Sequence, residues 1–402
     1  MEGFLMEYWA EFDPNISNYA DGRWRVCDPY ARLSEWQQQR WEGNCNGLLL
    51  LSLPLAPDTL QAAELYAEVW GGHNGCANQR FTLNGRAVYG FGNTQTCWDH
   101  CAYQYPSVPL DTRHLVRGVN VLQLSVDRGV SFLGNFLLDE ACIRAWLPNS
   151  HPFIAESGLS AFTAAAASDA KGYELPDRAR LSLQCDLSFH DQIDHVDYLG
   201  RYVDFNDNGH EDAYAWRGYT YHREQRKRIG ISTTPPFDAE WDTTMIPDQD
   251  RAIEIKARIV FKSGLQYETP IYARQFLRAG RQSVMLCPAT VLPAPFYSRD
   301  LKPCEAVTDL SCIALETVES AWLQTRVWDG GEGDVRDYFT LNGVHFPICT
   351  GTANHQVYET CFPIPLEVLR QGENTFRLLS DTKHHGIEVL LPGPVIKLRL
   401  KG

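Results

Sequence analysis

The pentapeptide Phe-Thr-Leu-Asn-Gly occurs twice in this chain, at Phe81–Gly85 and, unchanged, at Phe339–Gly343. A Val-Trp pair precedes each copy, at Val69-Trp70 and at Val327-Trp328, and both matches have the same offset of 258 residues. Two matches at one offset indicate an internal repeat.

A third similarity follows further along each copy. Residues 109–126, PLDTRHLVRGVNVLQLSV, resemble residues 365–380, PLEVLRQGENTFRLLS. The sequence therefore predicts one type of domain that occurs twice, with a different segment between the two copies.

The residues around each copy have the pattern of strands. Residues 63–70 (AELYAEVW) and 322–328 (WLQTRVW) alternate polar and apolar side chains with a period of two. The Asn-Gly pair that ends each pentapeptide is the strongest short signal for a hairpin turn. Helical periodicity is scarce, and its main candidate, residues 156–170, is expected to be a linker or a short docked helix.

The order of these motifs resembles the galactose-binding-like jelly roll. The resemblance rests on the two pentapeptides and on three later positions in each copy, namely Leu110, Gly118 and Asn120, and Leu366, Gly372 and Asn374. It implies a β-sandwich that serves as a sugar-binding module or as an accessory domain of enzymes that act on glycosides.

The segment between the copies resembles a bacterial-type immunoglobulin-like domain. The matching positions are Val196, Gly230, Thr234, Pro236, Phe237, Trp241, Asp242, Thr243, Pro247, Asp248, Ala257 and Gly264. Residues 205–228 depart from this family, because such domains usually have a tight hairpin where this chain has a long insertion.

The fold class predicted from these resemblances is all-β: two galactose-binding-like jelly-roll β-sandwiches separated by an Ig-like β-sandwich. The first jelly roll is expected at residues 1–150 and a linker at 151–175. The Ig-like sandwich with its hairpin insertion is expected at 176–275, and the second jelly roll at 276–402.

Composition excludes several classes of function. The net charge of −14 argues against nucleic acid as a partner, because phosphate binding needs a basic surface. No apolar run approaches the ~18 residues that a membrane-spanning helix needs. The N-terminus, MEGFLMEYWAEFD, is acidic and lacks the pattern of a signal peptide.

The cysteines favour an oxidising compartment. Twelve are present, and several have a neighbour close in sequence: Cys27 and Cys45, Cys304 and Cys312, Cys349 and Cys361. Such local pairs in loops favour disulfides and a secreted protein, and the sequon at Asn15 is compatible with that. The alternative is an intracellular protein with reduced thiols.

Residues 203–212, VDFNDNGHED, resemble the opening of a calcium loop. Asp204, Asn206, Asn208 and Asp212 stand at ligand positions 1, 3, 5 and 9 of such a loop, and Gly209 stands at the turn position. Position 12 is an alanine instead of a bidentate glutamate. The hypothesis is a structural calcium ion, and the alternative is a polar turn. No organic cofactor is expected.

Two loops carry candidate ligand-binding residues. After the first pentapeptide, TCWDHCAYQY presents Trp98, Asp99, His100 and Tyr103. After the second, CTGTANHQVYETC presents His355 and Tyr358. Aromatic rings suit the apolar faces of sugars, whereas carboxylates and imidazoles bind hydroxyls or transfer protons. The alternatives are loop packing, a disulfide from Cys97 or Cys101, and a zinc site that lacks a second ligand pair.

Two further clusters are ambiguous. Asp127 and Arg128 stand at a strand exit and are candidates for binding a polar ligand or for a structural ion pair. The basic run HREQRKR, residues 222–228, could grip a sulfate or uronate, although a solvated hairpin tip is the preferred interpretation.

The leading functional hypothesis is a carbohydrate or polar-ligand binding protein. The chain has no nucleophile elbow, phosphate loop, HExxH motif or Rossmann motif. The alternative is an enzyme with a site in an interdomain cleft, either a natural-product cyclase similar to fungal hetero-Diels–Alderases or a carbohydrate-active lyase. Carbohydrate or another small molecule is the expected partner.

Overall fold

The structure, a computed structural model, describes residues 2–10, 24–27, 48–71, 78–91, 101–126, 135–170, 176–206, 214–274, 282–331, 333–350, 354–383 and 385–402. Its sheets are built from antiparallel strand pairs, which confirms the predicted all-β class. Within these ranges, no helix has the length and apolar character that crossing a bilayer requires.

The first sandwich encloses a core between two sheets. One sheet, in the order β3-β9-β5-β6, faces strands of a larger sheet that includes β10 and β4. The strands are β1 (Gly3–Trp9), β2 (Trp24–Cys27), β3 (Leu48–Leu53), β4 (Ala62–Trp70), β5 (Arg80–Leu83), β6 (Ala87–Gly90), β7 (Tyr103–Gln104), β8 (Ser107–Leu110), β9 (Gly118–Ser125) and β10 (Asn135–Leu147).

The middle sandwich packs a three-stranded sheet, β11-β12-β18, against β13, β19 and β20. Its elements are α1 (Pro152–Glu156), β11 (Ala164–Ser168), β12 (Arg178–Cys185), β13 (Ile193–Val203), β14 (Tyr214–Trp216), β15 (Thr220–Tyr221), β16 (Glu224–Gln225), β17 (Gly230–Ser232), β18 (Ala239–Asp242), β19 (Ile253–Phe261), β20 (Gln266–Glu268) and β21 (Tyr272–Arg274).

The C-terminal sandwich repeats the two-sheet arrangement of the first. Its strands are β22 (Val284–Pro288), β23 (Tyr297–Ser298), β24 (Cys304–Asp309), β25 (Val318–Asp329), β26 (Phe339–Leu341), β27 (Val344–His345), β28 (Val357–Ile364), β29 (Glu373–Leu378), β30 (Ile387–Val389) and β31 (Val395–Leu400). Short 3-10 turns lie at Pro57–Thr59, Thr112–His114, Leu187–Gln192, Leu315–Thr317 and Leu366–Val368.

The repeated motif forms the same hydrogen-bond network in both copies. Asn84 Nδ2 donates to Asn120 Oδ1 at 2.9 Å, and its Oδ1 accepts from the Val121 amide at 2.8 Å. In the second copy, Asn342 Nδ2 donates to Asn374 Oδ1 at 2.8 Å. The distant asparagine of each pair is fully buried, and its amide also bonds the backbone of the preceding turn.

Strand β1 joins the first and middle sandwiches into one sheet. One edge of β1 pairs with β10, where Phe4 lies opposite Leu147, and the other edge pairs with β20, where Phe4 lies opposite Tyr267. The resulting sheet runs β14-β13-β19-β20-β1-β10-β4-β7 without a break. Because backbone hydrogen bonds continue across the junction, the two sandwiches share one rigid floor.

Residues 151–175, expected to form a linker, contribute described elements to the middle core. Helix α1 buries Ile154, and strand β11 pairs with β12 along its whole length. Leu159 and Phe162 lie between these elements and are each about 1% exposed. The alanine-rich stretch forms a strand because its small side chains pack closely against the opposite sheet.

Two of the predicted disulfides are not formed. Cys304, Cys312, Cys349 and Cys361 are all thiols. Cys349 packs into the core of the C-terminal sandwich, whereas Cys361 is exposed on β28, so the two side chains occupy different environments. Cys101, another predicted disulfide cysteine, is a buried thiol, and Cys45 and Cys97 lie outside the described residues.

Replacing either buried asparagine of the repeat should destabilise its own sandwich. Asn120→Ala and Asn374→Ala each leave backbone donors and acceptors unpaired, so each should lower the free energy of unfolding by about 2–3 kcal/mol. Urea unfolding followed by circular dichroism measures the loss. Gln123→Ala, an exposed change on the same strand as Asn120, is the matched control; equal effects from Asn120→Ala and this control would contradict the network.

Candidate functional site

A row of charged side chains lies on the shared sheet, on the face opposite the core. Glu7, Arg144 and Glu64 are directly opposite one another on β1, β10 and β4. Arg144 Nε lies 2.8 Å from Glu7 Oε1, and its Nη1 lies 3.4 Å from Glu64 Oε1. Side chains alternate across a strand, so Ile143 faces the core while Arg144 faces away.

The row continues onto the middle sandwich through β19 and β20. Arg258 lies opposite Glu268, with Nη2 and Nε at 2.7 and 3.1 Å from Glu268 Oε1. Lys256 Nζ contacts the other oxygen of the same carboxylate. Arg258 Nη1 also lies 3.8 Å from Glu7, which links the two halves of the row.

Burial and pairing set the ionisation of this row. Burial opposes the charge of Glu268, but the nearby Lys256 and Arg258 outweigh it and lower the pKa of Glu268 to about 2. Burial also acts against Glu7, whose pKa is nevertheless lowered by Arg144 and Arg258. Burial lowers the pKa of Lys256, and the Glu268 carboxylate opposes this shift. The row is therefore held as ion pairs at neutral pH.

Aromatic rings stand around the charged row. Tyr105 and Tyr219 stack with centroids 4.3 Å apart and planes 7° apart, one ring from the first sandwich and one from the middle insertion. The Arg144 guanidinium lies 3.9 Å above the Tyr66 ring, and Lys256 Nζ lies 4.6 Å from the Trp216 ring. Apolar ring faces and fixed charges thus share one surface.

These groups line a cleft between the first and middle sandwiches. Its cavity volume is about 330 Å³, at the lower end of the range for small-ligand pockets. The charged lining consists of Glu64, Arg144, Arg217, Lys256, Arg258 and Glu268. The aromatic lining consists of Tyr66, Tyr105, Trp146, Trp216 and Tyr219.

The outer wall of the cleft is the insertion of the middle sandwich. Residues 215–219 line the cleft, and Gly218 has a φ of 119°, which other residues rarely adopt. A Cβ atom on Gly218 would approach Leu199 Cδ2 to 2.5 Å. A glycine is therefore required for the insertion to lie this close to β13.

The tip of the insertion is anchored to a buried carboxylate of the first sandwich. The amides of His222 and Arg223 donate to Glu68 at 2.7 and 3.1 Å, and Thr220 Oγ1 donates to it at 2.6 Å. Glu68 is fully buried, and burial raises its pKa. Arg223 also pairs with Glu140 at 3.0 Å, and burial raises the pKa of Glu140 to about 7.

The basic run 222–228 therefore holds the domains together and is not simply a solvated tip. Arg228 Nη1 lies 3.0 Å from Asp197 Oδ1, and Lys227 contacts Glu359 of the C-terminal sandwich. The run is partly covered because carboxylates of three sandwiches converge on it. Its positive charges therefore form ion pairs within the molecule, and the sequence pattern did not indicate this.

The residues predicted in the first ligand loop fall largely outside the described part of the chain. The loop residues outside the described ranges are Trp98, Asp99 and His100. The predicted pair at the strand exit, Asp127 and Arg128, also lies outside them.

Tyr103 is described and is fully buried. Its hydroxyl donates to Asp139, and its ring packs 5.0 Å from the Arg326 guanidinium of the C-terminal sandwich. The structure thus places Tyr103 in the packing between two sandwiches.

His355 and Tyr358 lie together near the end of β25. The His355 ring stacks on Trp328 with centroids 5.5 Å apart, and His355 Nε2 lies 3.1 Å from His385 Nδ1. The Tyr358 hydroxyl accepts hydrogen bonds from Asn354 and Thr350. Both residues are half-buried, and neither lines the cleft.

The described part of the predicted calcium loop is occupied by protein contacts. Asp204 Oδ1 accepts from the Phe205 amide at 2.8 Å and lies 2.5 Å from Lys397 Nζ of the C-terminal sandwich. Asn206 is 1% exposed. Asn208 and Asp212 lie outside the described residues, so calcium remains a prediction; within the described ranges no three acidic, histidine or cysteine side chains group as a metal site.

The residues of the cleft were missed at the sequence level for a physical reason. Glu254, Lys256 and Arg258 alternate on β19, a pattern that predicts an ordinary solvated face. A useful signal would have been the single charge of Arg144 within the otherwise apolar end of β10, in ACIRAWL, because a charge there needs a partner on a neighbouring strand.

No family model matches the sequence, and no curated protein matches it significantly. Among solved structures, a β-porphyranase of glycoside hydrolase family 86 from the human gut bacterium Bacteroides plebeius aligns with 58% of this chain and 36% of its own, at 10% identity and a TM-score of 0.26.

Two further solved structures align at lower scores. The glycoside hydrolase domain of Endo-D from Streptococcus pneumoniae R6 aligns with 58% of this chain and 31% of its own, at 10% identity and a TM-score of 0.22. The FN1-FN3 domains of chicken CNTN1 align with 88% of this chain and 95% of their own, at 9% identity and a TM-score of 0.15. The chain spans about a third of the length of the two enzymes, and scores this low do not establish a common fold.

Removing the charge of Glu268, which Arg258 and Lys256 share, should lower stability by an amount that depends on pH. Glu268→Gln leaves Arg258 and Lys256 without their buried partner, so the free energy of unfolding at pH 7 should fall by about 3–5 kcal/mol. The folded pKa of about 2 lies below the ordinary value of 4.5. The stabilisation is therefore complete above pH 4.5 and is lost as the pH falls towards 2.

Urea titrations of the wild type and the variant at pH 7, 5, 4 and 3 measure this difference. Glu240→Gln is the control, because Glu240 pairs with Arg178 on the exposed surface and should matter little. A constant difference between wild type and Glu268→Gln across these pH values would disprove the assignment.

Proposed function

We propose that this protein binds carbohydrate in the cleft between its first and middle sandwiches. In this proposal the two repeated sandwiches are galactose-binding-like jelly rolls at residues 1–150 and 276–402, and the middle one is an Ig-like domain that contributes the wall of the site. The observation that carries the proposal is the combination, in one cleft, of aromatic rings with fixed charged hydrogen-bonding groups.

The chemistry of this lining suits a sugar. A pyranose ring has apolar C–H faces that pack on aromatic rings and a periphery of hydroxyls that donate and accept hydrogen bonds. Glu64 and Glu268 offer acceptors, whereas Arg144 and Lys256 offer donors. Hydrogen bonds to charged groups are stronger than those between neutral groups, so a few of them fix the orientation of a ligand.

The cleft is pre-organised, which favours binding. Glu64, Arg144 and Glu268 project from hydrogen-bonded strands and are already held by ion pairs. Little side-chain entropy is therefore lost when a ligand binds. The wall is likewise fixed by the contacts of Glu68 with the insertion tip.

The cyclase alternative receives less support from this cleft. A polyene substrate would cover the charged groups on the floor and displace the water that hydrates them. It offers no hydrogen bonds in return, which makes its binding costly. A carbohydrate-active lyase is the second candidate, because a lysine whose pKa is lowered by burial lines the cleft. Screening of acidic polysaccharides for unsaturated products distinguishes a lyase from a binding protein.

Removing a ring from the wall should weaken glycan binding. Trp216 is half-buried and lines the cleft, so Trp216→Ala should lower the affinity for any glycan that binds the wild type by about tenfold, or about 1.4 kcal/mol. A glycan array identifies the ligand, and isothermal titration calorimetry measures the loss.

Tyr214→Ala is the matched control, since Tyr214 is equally half-buried on the same strand but packs between Arg201 and Arg251, outside the cleft. Circular dichroism verifies that both variants fold. Glycan binding unaffected by Trp216→Ala, or the absence of glycan binding by the wild type, would overturn the proposal.

A further inference from the structure

The cleft has a charge opposite to that of the whole protein. The chain has a net charge of −14. The lining of the cleft nevertheless holds four cationic side chains, Arg144, Arg217, Lys256 and Arg258, against two carboxylates, Glu64 and Glu268. A third carboxylate, Glu7, lies beside Arg144 and Arg258, so the cations still exceed the carboxylates. A cationic cleft in an acidic protein attracts negative charge locally, because nearby charges dominate the potential inside a concave, partly desolvated surface.

The cations are held where a ligand can reach their shared surface. Arg144 and Arg258 line the cleft beside Glu7, although their side chains are only 7% and 8% exposed. Lys256 Nζ is placed between Glu268 and the Trp216 ring. A group that packs against Trp216 therefore comes close to an ammonium in a partly desolvated setting.

A second, independent feature calls for a hydrogen-bond acceptor. Trp146 lines the same cleft and is only 4% exposed. Its Nε1 is buried and has no hydrogen-bond partner among the described residues. An indole N–H can only donate, and leaving it unpaired costs about 1–3 kcal/mol, so an oxygen-rich ligand group would recover that cost.

We propose that the ligand of the cleft carries an anionic group, either the carboxylate of a uronic acid or a sulfate ester, which the cleft recognises through Lys256, Arg144 and the Trp146 N–H. This inference rests on the proposed carbohydrate-binding function and specifies its ligand class. Carboxylate and sulfate share the chemistry that matters, namely several acceptor oxygens and a negative charge.

Neutral sugars and cationic amino sugars fit the cleft less well. A neutral hydroxyl gains less than an anion does from an ammonium or a guanidinium. An amino group would be repelled by the four cations. The cleft should therefore discriminate by charge, and the discrimination should weaken as salt screens the interaction.

The first test compares matched glycans. Oligogalacturonate and a sulfated galacto-oligosaccharide are titrated against the neutral galacto-oligosaccharide of equal length, at low and high salt. Lys256→Met keeps the length of the side chain and removes its charge, so it should lower the affinity for the acidic glycan that binds by about tenfold. It should lower the affinity for the neutral glycan much less, because a neutral hydroxyl loses only one ordinary hydrogen bond.

Lys262→Met is the control, because Lys262 is exposed just beyond the same strand and donates to the Asp191 carbonyl. It should leave both affinities unchanged. Stronger binding of one acidic glycan than of the neutral one, lost in Lys256→Met alone, supports the proposal.

Trp146→Phe separates binding from a structural role. The change removes an unpaired donor but also some buried volume, so the free energy of unfolding should fall by about 1 kcal/mol at most, whereas the affinity for the acidic glycan should fall several-fold. A loss of stability together with unchanged affinity would contradict the assignment of Trp146.

The outcomes keep the two proposals apart. Equal binding of neutral and acidic glycans, or equal losses for both in Lys256→Met, overturns the anionic assignment and leaves carbohydrate binding intact. If no glycan binds, carbohydrate binding fails. Sodium sulfate stabilises folded proteins generally relative to sodium chloride, so the informative quantity is the difference between variants. A larger stabilisation of the wild type than of Lys256→Met at equal ionic strength then supports the anion site, and equal stabilisation of both overturns it.

Discussion

The hydrogen bonding of β1 on both of its edges is the constraint on which the candidate site depends. Seven residues near the N-terminus, Gly3–Trp9, pair with β10 of the first sandwich and with β20 of the middle one. Without this strand the two sandwiches would meet only through side chains, and their relative position could vary. With it, Glu7 stands between Arg144 and Arg258 and connects the two halves of the charged row.

Burying the charged row costs desolvation free energy, and its ion pairs offset only part of that cost. Moving a carboxylate or a guanidinium out of water is expensive, and apolar replacements of a buried ion pair are often as stable. Apolar side chains could cover this face of the sheet at a lower cost in free energy than charged ones do. We therefore interpret the row as part of the proposed binding surface and not as a source of stability, and the aromatic rings at its edge agree with that interpretation.

The insertion that departs from the Ig-like pattern is what closes the cleft. Its strand β14 extends the shared sheet, and its tip donates two backbone amides to Glu68. Tyr221 of the same hairpin reaches the C-terminal sandwich, where its hydroxyl donates to Gln356 Oε1 at 2.8 Å. One segment thus contacts all three sandwiches. Its basic residues therefore form ion pairs with carboxylates inside the molecule.

The sequence predicted the parts of this molecule that depend on local pattern. The all-β class and the repeat follow from alternation and from Asn-Gly turns, and the structure explains the distant asparagines Asn120 and Asn374 as partners of those turns. The cleft was not predictable in the same way, because Glu64, Arg144 and Glu268 are far apart in sequence and meet only through the order of strands in the sheet. The role of β1 could not be predicted either, because nothing in its seven residues indicates that its two edges pair with different sandwiches.

Hydrogen–deuterium exchange of the protein with and without a bound glycan tests the central claim most directly. If the ligand occupies the cleft, protection should appear in residues 214–219 and in the strands that carry Arg144 and Lys256, because the ligand covers the wall and the floor together. Protection confined to the segment around His355 and Tyr358, with exchange in the cleft unchanged, would contradict the account.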